Sequence, residues 1–252
     1  MKSETVKIWH GKVTAEDAHY QAYWRVLDEA EQTQAGKFKN ALLHKRYVEI
    51  HGRLRMLLAQ RLNQSPEKIR IKKAEHGKPY LADYPELAFN LSHSADRVMI
   101  AVGWNCQIGI DIEICKQRIN LCGLVDKCFS EEEVAYWINL PDDQKKQAFY
   151  RFWTRKEAFV KATGHGIALG LKQCVINPEK PTEFLRVPDN CGQASAWHVL
   201  EIDLGEGGWG ALVADKAFAG VRLMDFYSFC SCESERGLLD GARRLPMFFL
   251  SL

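Results

Sequence analysis

Long apolar runs are absent from this chain. No stretch approaches the roughly 20 apolar residues that a membrane-spanning helix needs, and Met1 to Lys12 lacks the apolar segment of a secretory signal. The apolar tail from Leu245 to Leu252 is far too short to span a bilayer and is expected to dock on the core. Close cysteine pairs are scarce as well. Of the 8 cysteines only Cys230 and Cys232 lie near each other, and no C-x-x-C occurs. The expectation is therefore a cytoplasmic protein whose thiols stay reduced and are mostly buried as small hydrophobes, with a structural zinc site as the alternative. A charge excess is missing too: 34 Lys+Arg stand against 32 Asp+Glu, for a formal +2. On that average a dedicated nucleic-acid binder and an acidic disordered chain are both excluded.

What is present is globular. Among 252 residues, 46% are hydrophobic and 11% aromatic, enough for one large domain or two small ones. The charge balance also conceals a bias: residues 37–78 hold 12 Lys+Arg and 3 Asp+Glu, a local +9 that leaves the rest at −7. Polyanionic ligands therefore stay open for that stretch.

Residues 5–8 pattern as a first strand, and Thr14 with Asp17 resembles a capping box opening a helix to about Ala30. Apolar residues spaced by three and four, from Leu43 to Leu62, predict a long helix over about Gly36 to Leu62. A short strand is expected at Ile69 to Lys72 and a turn at His76 to Pro79. Val98 to Val102 and Ile108 to Ile114, rich in β-branched residues, predict neighbouring strands of a buried sheet. Ser130 with Glu133 caps a further helix, and another is expected from about Asp142 to Thr163, stopped by Gly164. Strands are then expected at Cys174 to Ile176, Trp197 to Ile202, Trp209 to Ala214 and Arg222 to Phe229. The order suggests an α+β protein of two similar halves meeting near residue 115, although no sequence repeat supports a duplication.

Three constellations carry chemistry. In Gly109-Ile-Asp-Ile-Glu113, a strand would present Asp111 and Glu113 on one side while Ile110 and Ile112 enter the core. Two neighbouring carboxylates suit a hard divalent ion such as Mg²⁺; a solvated acidic face on an edge strand is the alternative. On the helix Phe152-Trp-Thr-Arg-Lys-Glu-Ala-Phe-Val-Lys161, Glu157 and Lys161 share a face at i and i+4. They would supply a base and a cation for phosphate, or simply a surface ion pair. Asn90-Leu-Ser-His-Ser94 could meet a phosphate or form a capped turn. Other sites are excluded: there is no G-x-S-x-G elbow, and Gly164 to Gly170 lacks the ending of a phosphate-binding loop. Nor does that segment follow a strand, as a dinucleotide-binding fingerprint would.

In order along the chain stand Gly77-Lys-Pro79, Phe89-Asn-Leu-Ser-His-Ser94, Ile108-Gly-Ile-Asp-Ile-Glu113 and Phe152 to Lys161, then Gly164 and Gly166. This combination resembles the 4′-phosphopantetheinyl transferases, in the larger form that activates peptide and polyketide synthases. The blocks span residues 77–166, and Arg46 to Arg55 aligns with the family's N-terminal helix. The resemblance implies a pseudo-twofold fold of two α/β halves, 1–115 binding the coenzyme A phosphates and 116–252 carrying the catalytic helix, with the active site between them. It implies Mg²⁺-dependent transfer of the phosphopantetheine arm of coenzyme A to a serine of an apo carrier protein, releasing 3′,5′-ADP.

By the same resemblance Asp111, Glu113 and Glu157 gather around the metal. Glu157 takes the serine proton, Lys161 meets the leaving phosphate, and Arg46, Lys78, Pro79, Ser92, His93 and Asp111 contact coenzyme A. The expected partner is a carrier with an acidic helix, not nucleic acid or a membrane, and the expected state is a monomer. Two departures stand out: Glu31 and Gln34 occupy places where the family's type member is basic, and Tyr47 replaces a small hydroxyl residue. The alternatives are a Mg²⁺-dependent nucleotide phosphodiesterase and a non-catalytic carrier-binding relative.

Overall fold

The computed structural model describes residues 6–115, 120–166, 169–205, 207–218 and 220–226. Thr5, Cys230, Cys232, the tail from Leu245, residues 227–229 of the last expected strand and residues 167–168 lie outside these. Two antiparallel-rich sheets stack face to face, each covered on its outer side by a 22-residue helix. In the first sheet, β11 (Val221–Asp225), β1 (Val6–Lys12), β5 (Arg97–Trp104) and β4 (Leu87–Ser94) lie side by side in that order. The second runs β6 (Ile108–Ile114), β10 (Gly208–Ala214), β9 (His198–Asp203). Helix α3 (Ala41–Leu62) sets Ile50, Leu54, Leu57 and Leu58 against Trp9, Phe89, Val98 and Ile100 of the first sheet. Helix α6 (Asp142–Thr163) sets Ala158, Phe159 and Ala162 against Ala211 and Val213 of the second.

The layer between the sheets is apolar: Ile8, Met99 and Ala101 meet Ile108, Ile110, Ile112 and Leu212. Period-two alternation produces this arrangement. On β6 the isoleucines enter the middle layer while Gly109, Asp111 and Glu113 take the opposite side. Each fully buried isoleucine contributes on the order of 1.5–3 kcal/mol. The chain thus forms two α+β halves, as expected. β6 hydrogen-bonds to β10, so by pairing it belongs with the second sheet, and β11 returns from the C-terminal part to run parallel beside β1.

Local differences have local causes. The first expected helix is two, α1 (Asp17–Val26) and α2 (Glu29–Gly36). Thr14 is not a cap, since α1 has Glu16 at its N-cap with no side-chain hydrogen bond; the capping box is Asp28 with Glu31, at the start of α2. The long helix starts at Ala41, capped by the Asn40 side chain on the Leu43 N–H. Asn90 to Ser94, for which a phosphate-meeting cluster and a capped turn were both open, lies within strand β4. Three further elements lacked a clear periodicity: β3 (Pro79–Leu81), which pairs with β2 (Ile71–Lys73), α4 (Leu121–Cys128), and β8 (Phe184–Arg186), which pairs with β7 (Val175–Ile176). Helix α5 (Glu131–Ile138) carries the expected Ser130/Glu133 capping box, and α6 ends as expected at Gly164 in the left-handed conformation, φ +75°.

Candidate active site

Gly109 sets the distance between the strand and the helix that make the site. A Cβ there would fall 2.0 Å from the Ala158 carbonyl oxygen and 2.4 Å from the Ala162 nitrogen. Only a residue without a side chain lets α6 lie this close to β6, which brings Glu157 and Lys161 beside Asp111. β4 reaches β6 through side chains rather than through a backbone ladder. Asn90 Oδ1 accepts from the Ile110 N–H at 2.8 Å, Ser92 Oγ from Ile112 at 3.2 Å and Ser94 Oγ from Ile114 at 3.1 Å. Alternate residues of one strand thereby satisfy alternate N–H groups of the other.

These elements enclose a cavity of about 360 Å³ lined by Ser92, His93, Asp111, Glu113, Trp153, Glu157 and Lys161, with Leu91 and Ile112 between them. Asp111 is buried. Its Oδ1 accepts from Ser92 Oγ at 2.9 Å and from Lys161 Nζ at 2.6 Å, while its Oδ2 is buried without a partner. Burial raises the Asp111 pKa against the pull of Lys161. Burial likewise raises that of Glu157, and the Asp111 and Glu113 charges add to the rise while Lys161 opposes it. Lys161 Nζ also donates to Ser92 Oγ at 3.0 Å and to the Ile110 carbonyl at 3.3 Å, so one ammonium ties the helix to both strands. Partial burial lowers the His93 pKa, and the cationic groups of Lys161, His51 and Arg46 add to that against Glu113.

The other expected site residues stand outside the cavity lining. Arg46 lies on α3 with its Nε buried and unpartnered, near enough to act on His93. Lys78 crosses between the halves and donates to the carbonyls of Ala162 at 2.5 Å and Ile108 at 3.3 Å. Its burial pulls the pKa down to about 8. Pro79 opens β3, opposite Lys73 of β2. Glu133, next to the exposed Glu131 and Glu132 at the start of α5, is wholly buried: it caps α5 and pairs with Lys156 Nζ at 2.7 Å, both side chains 0% exposed. Arg155 is also buried, held by Glu201 and by the Arg151 carbonyl. Hence only Glu157 and Lys161 of Arg155-Lys-Glu and Lys161 face the cavity.

At the two departures, Glu31 accepts from Arg55 Nε at 2.5 Å and lies 3.3 Å from His51 Nδ1, and the His51 ring stacks on Tyr47 at 4.0 Å between centroids. Burial, with the charges of Glu31 and Asp28, pushes Tyr47 up to about 12. His51 escaped the sequence analysis, and Ser94, named there within its polar block, received no role of its own. For Ser94 a clue existed in the alternation of Asn90, Ser92 and Ser94, which is legible once the segment is taken as a strand.

An unpartnered buried carboxylate oxygen and two acidic neighbours that repel it suit a hard divalent cation. Among the described residues, no three His, Cys, Asp or Glu side chains close tightly enough to hold a metal by themselves.

Comparison with known proteins identifies the family. Residues 107–214 match the model of the 4′-phosphopantetheinyl transferase superfamily, and residues 11–105 match that of the 4′-phosphopantetheinyl transferase N-terminal domain. The chain is 33% identical over 204 residues to the 4′-phosphopantetheinyl transferase HetI of Nostoc sp., covering 79% of this chain and 83% of the relative. It is 31% identical over 195 residues to the 4′-phosphopantetheinyl transferase AcpT of Salmonella typhimurium, covering 68% and 99%. Against the 4′-phosphopantetheinyl transferase psf-1 of Bacillus pumilus it is 37% identical over 125 residues, covering 49% and 52%. A two-sheet α+β protein with an acidic cavity between its halves thus belongs to the 4′-phosphopantetheinyl transferase superfamily. Within it, the chain is an enzyme of the two-half type, like HetI.

Proposed function

We propose that this transferase moves the phosphopantetheine arm of coenzyme A to a serine hydroxyl of an apo carrier protein, using Asp111, Glu113, Glu157 and Lys161. The observation that carries the proposal is the convergence of these four side chains, from one strand and one helix, with His93 from a second strand on a single cavity. In the proposed step the serine Oγ attacks the phosphorus next to the pantetheine, its proton passes to Glu157, and the pyrophosphate P–O bond breaks to release 3′,5′-ADP. A carboxylate whose pKa is raised is the better proton acceptor near neutral pH. Lys161, fixed on Asp111 and Ser92, would meet the charge that builds on the leaving phosphate.

Asp111, Glu113 and Glu157 would hold Mg²⁺ together with phosphate oxygens of the substrate, and the ion would supply charge neutralisation on the pyrophosphate. The Arg46 guanidinium near His93 supports a place for the 3′-phosphate there. Lys78 would act less as a phosphate ligand than as a strap, given its two carbonyl partners. Pro79 would form part of the turn that fixes it.

The bias of 12 Lys+Arg against 3 Asp+Glu over residues 37–78 favours a carrier with an acidic helix. A site completed within one chain favours a monomer. No helix of the described residues is long and apolar enough to cross a membrane, and the six described cysteines form no disulfide, in keeping with a cytoplasmic location.

The test is to incubate the protein with coenzyme A, Mg²⁺ and several apo carriers and to weigh the carriers. A mass gain of one phosphopantetheine arm is expected. No gain on any carrier would overturn the proposal, and nucleotide release without a carrier would indicate a phosphodiesterase.

A further inference from the structure

Ser92 and Ser94 occupy equivalent places two residues apart on β4, and each stands between a carboxylate of β6 and the N–H that follows it. Ser92 Oγ accepts from the Ile112 N–H at 3.2 Å and donates to Asp111 Oδ1 at 2.9 Å. Ser94 Oγ accepts from the Ile114 N–H at 3.1 Å and donates to Glu113 Oε2 at 2.7 Å. A hydroxyl has one proton to give. Once one of its two lone pairs is taken by a rigid backbone N–H, the O–H direction is restricted, and the carboxylate is the acceptor it meets. The two-residue repeat of one strand is thereby copied onto the acidic pair of the other.

At Asp111 the arrangement leaves Oδ2 as the acceptor without a partner, and Oδ1 is shared with Lys161. At Glu113, among the described residues, Ser94 takes one oxygen, Oε2. In the proposed function, on which this inference rests, the oxygens left over are those available to a cation.

We propose that Ser94, with Ser92 as its counterpart, is a positioning residue: its hydroxyl orients Glu113, as Ser92 orients Asp111, so that one oxygen of each carboxylate is held ready for a divalent cation. Neither hydroxyl has to touch substrate. Hydrogen bonds to ligating groups matter because they fix orientation and basicity, and losing one typically costs about 10–100-fold in metal affinity.

The experiment reads the metal directly. Mn²⁺ binding is followed by electron paramagnetic resonance in the full chain carrying Ser94→Ala, Ser94→Thr, Glu113→Gln, or both Ser94→Ala and Glu113→Gln. Folding is checked by circular dichroism, and coenzyme A binding is measured without metal. The expected result is that Ser94→Ala weakens Mn²⁺ about tenfold with little change in metal-free coenzyme A binding, and that Ser94→Thr restores it. Ser94→Ala should add nothing to Glu113→Gln, because Ser94 acts through that carboxylate.

Unchanged Mn²⁺ affinity in Ser94→Ala overturns the inference, and so does an effect that persists undiminished in the Glu113→Gln background. If Ser94→Ala does not fold, Ser94→Thr decides: Mn²⁺ binding as in the wild type upholds the inference, and binding as weak as in Glu113→Gln overturns it. The proposed function itself is judged apart, by whether the wild-type protein adds the arm to a carrier.

Discussion

Asp111 and Glu157 are two of the three carboxylates that line the cavity, and Asp111 keeps one buried oxygen without a partner. Both face the cavity, so Asp111→Ala and Glu157→Ala are expected to abolish carrier modification while the circular dichroism spectrum stays unchanged. Retained transfer in either variant refutes its role.

Lys156, the immediate neighbour of Glu157, predicts the opposite behaviour. Its ammonium is buried on Glu133 and on the carbonyls of Leu171 at 2.8 Å and Cys174 at 2.5 Å. Lys156→Met leaves Glu133 charged and unpaired, a loss of about 3–5 kcal/mol. Adding Glu133→Gln should recover part of it, because the amide oxygen can still cap α5. Denaturant midpoints of the single and double variants check this, and a mild single variant would show that the pair is dispensable. At residue scale the sequence could show that Glu157 and Lys161 share a helical face. It could not show which face of that helix meets the cavity and which one meets Glu133.

Among the elements, the contact between β6 and α6 decides the site. Both were legible in the sequence: β6 from its isoleucine alternation, and α6 from its span and glycine stop. Their closeness was not, because it depends on Gly109 facing the Ala158 carbonyl across the interface. Gly109→Ala should therefore cost about 1–3 kcal/mol through overpacking. It should also lower the transfer rate by at least tenfold, since displacing catalytic groups by about 1 Å can cost on the order of 100-fold. Thermal denaturation and the carrier assay together test this, and an unchanged rate would mean that the helix tolerates being moved. β4 illustrates the reverse. Asn90, Ser92, His93 and Ser94 have the polarity of a turn, and only the presence of β6 beside them turns their side chains into hydrogen-bond partners of a strand.

At the scale of the molecule, Lys78 joins the halves, and its buried ammonium sets a pH dependence. The folded pKa is about 8 against 10.5 for the free group, lowered by burial. Between those values the unfolded chain holds a proton that the folded chain has released, so stability rises with pH across the window. Relative to Lys78→Met, the wild-type protein is therefore expected to gain stability from about pH 8 toward 10.5 and to show no such relative change below it. Denaturant unfolding of both proteins at several pH values measures the difference, and a gap that closes or stays constant refutes the assignment.

By itself, the sequence determined the class of fold, the two long helices and the chemistry-bearing blocks, because periodicity, caps and residue types are local properties of the chain. Only the tertiary structure decided which charges are spent. Glu133 and Lys156, Arg155 and Glu201, and Lys78 on its two carbonyls are withdrawn into the framework, while Asp111, Glu113, Glu157 and Lys161 are left around the cavity. Even β11, 215 positions along the chain from the strand it pairs with at Val6 and Val221, found its place that way. Each partner is distant in sequence, and a buried charge is stable only where folding brings its counter-group into contact.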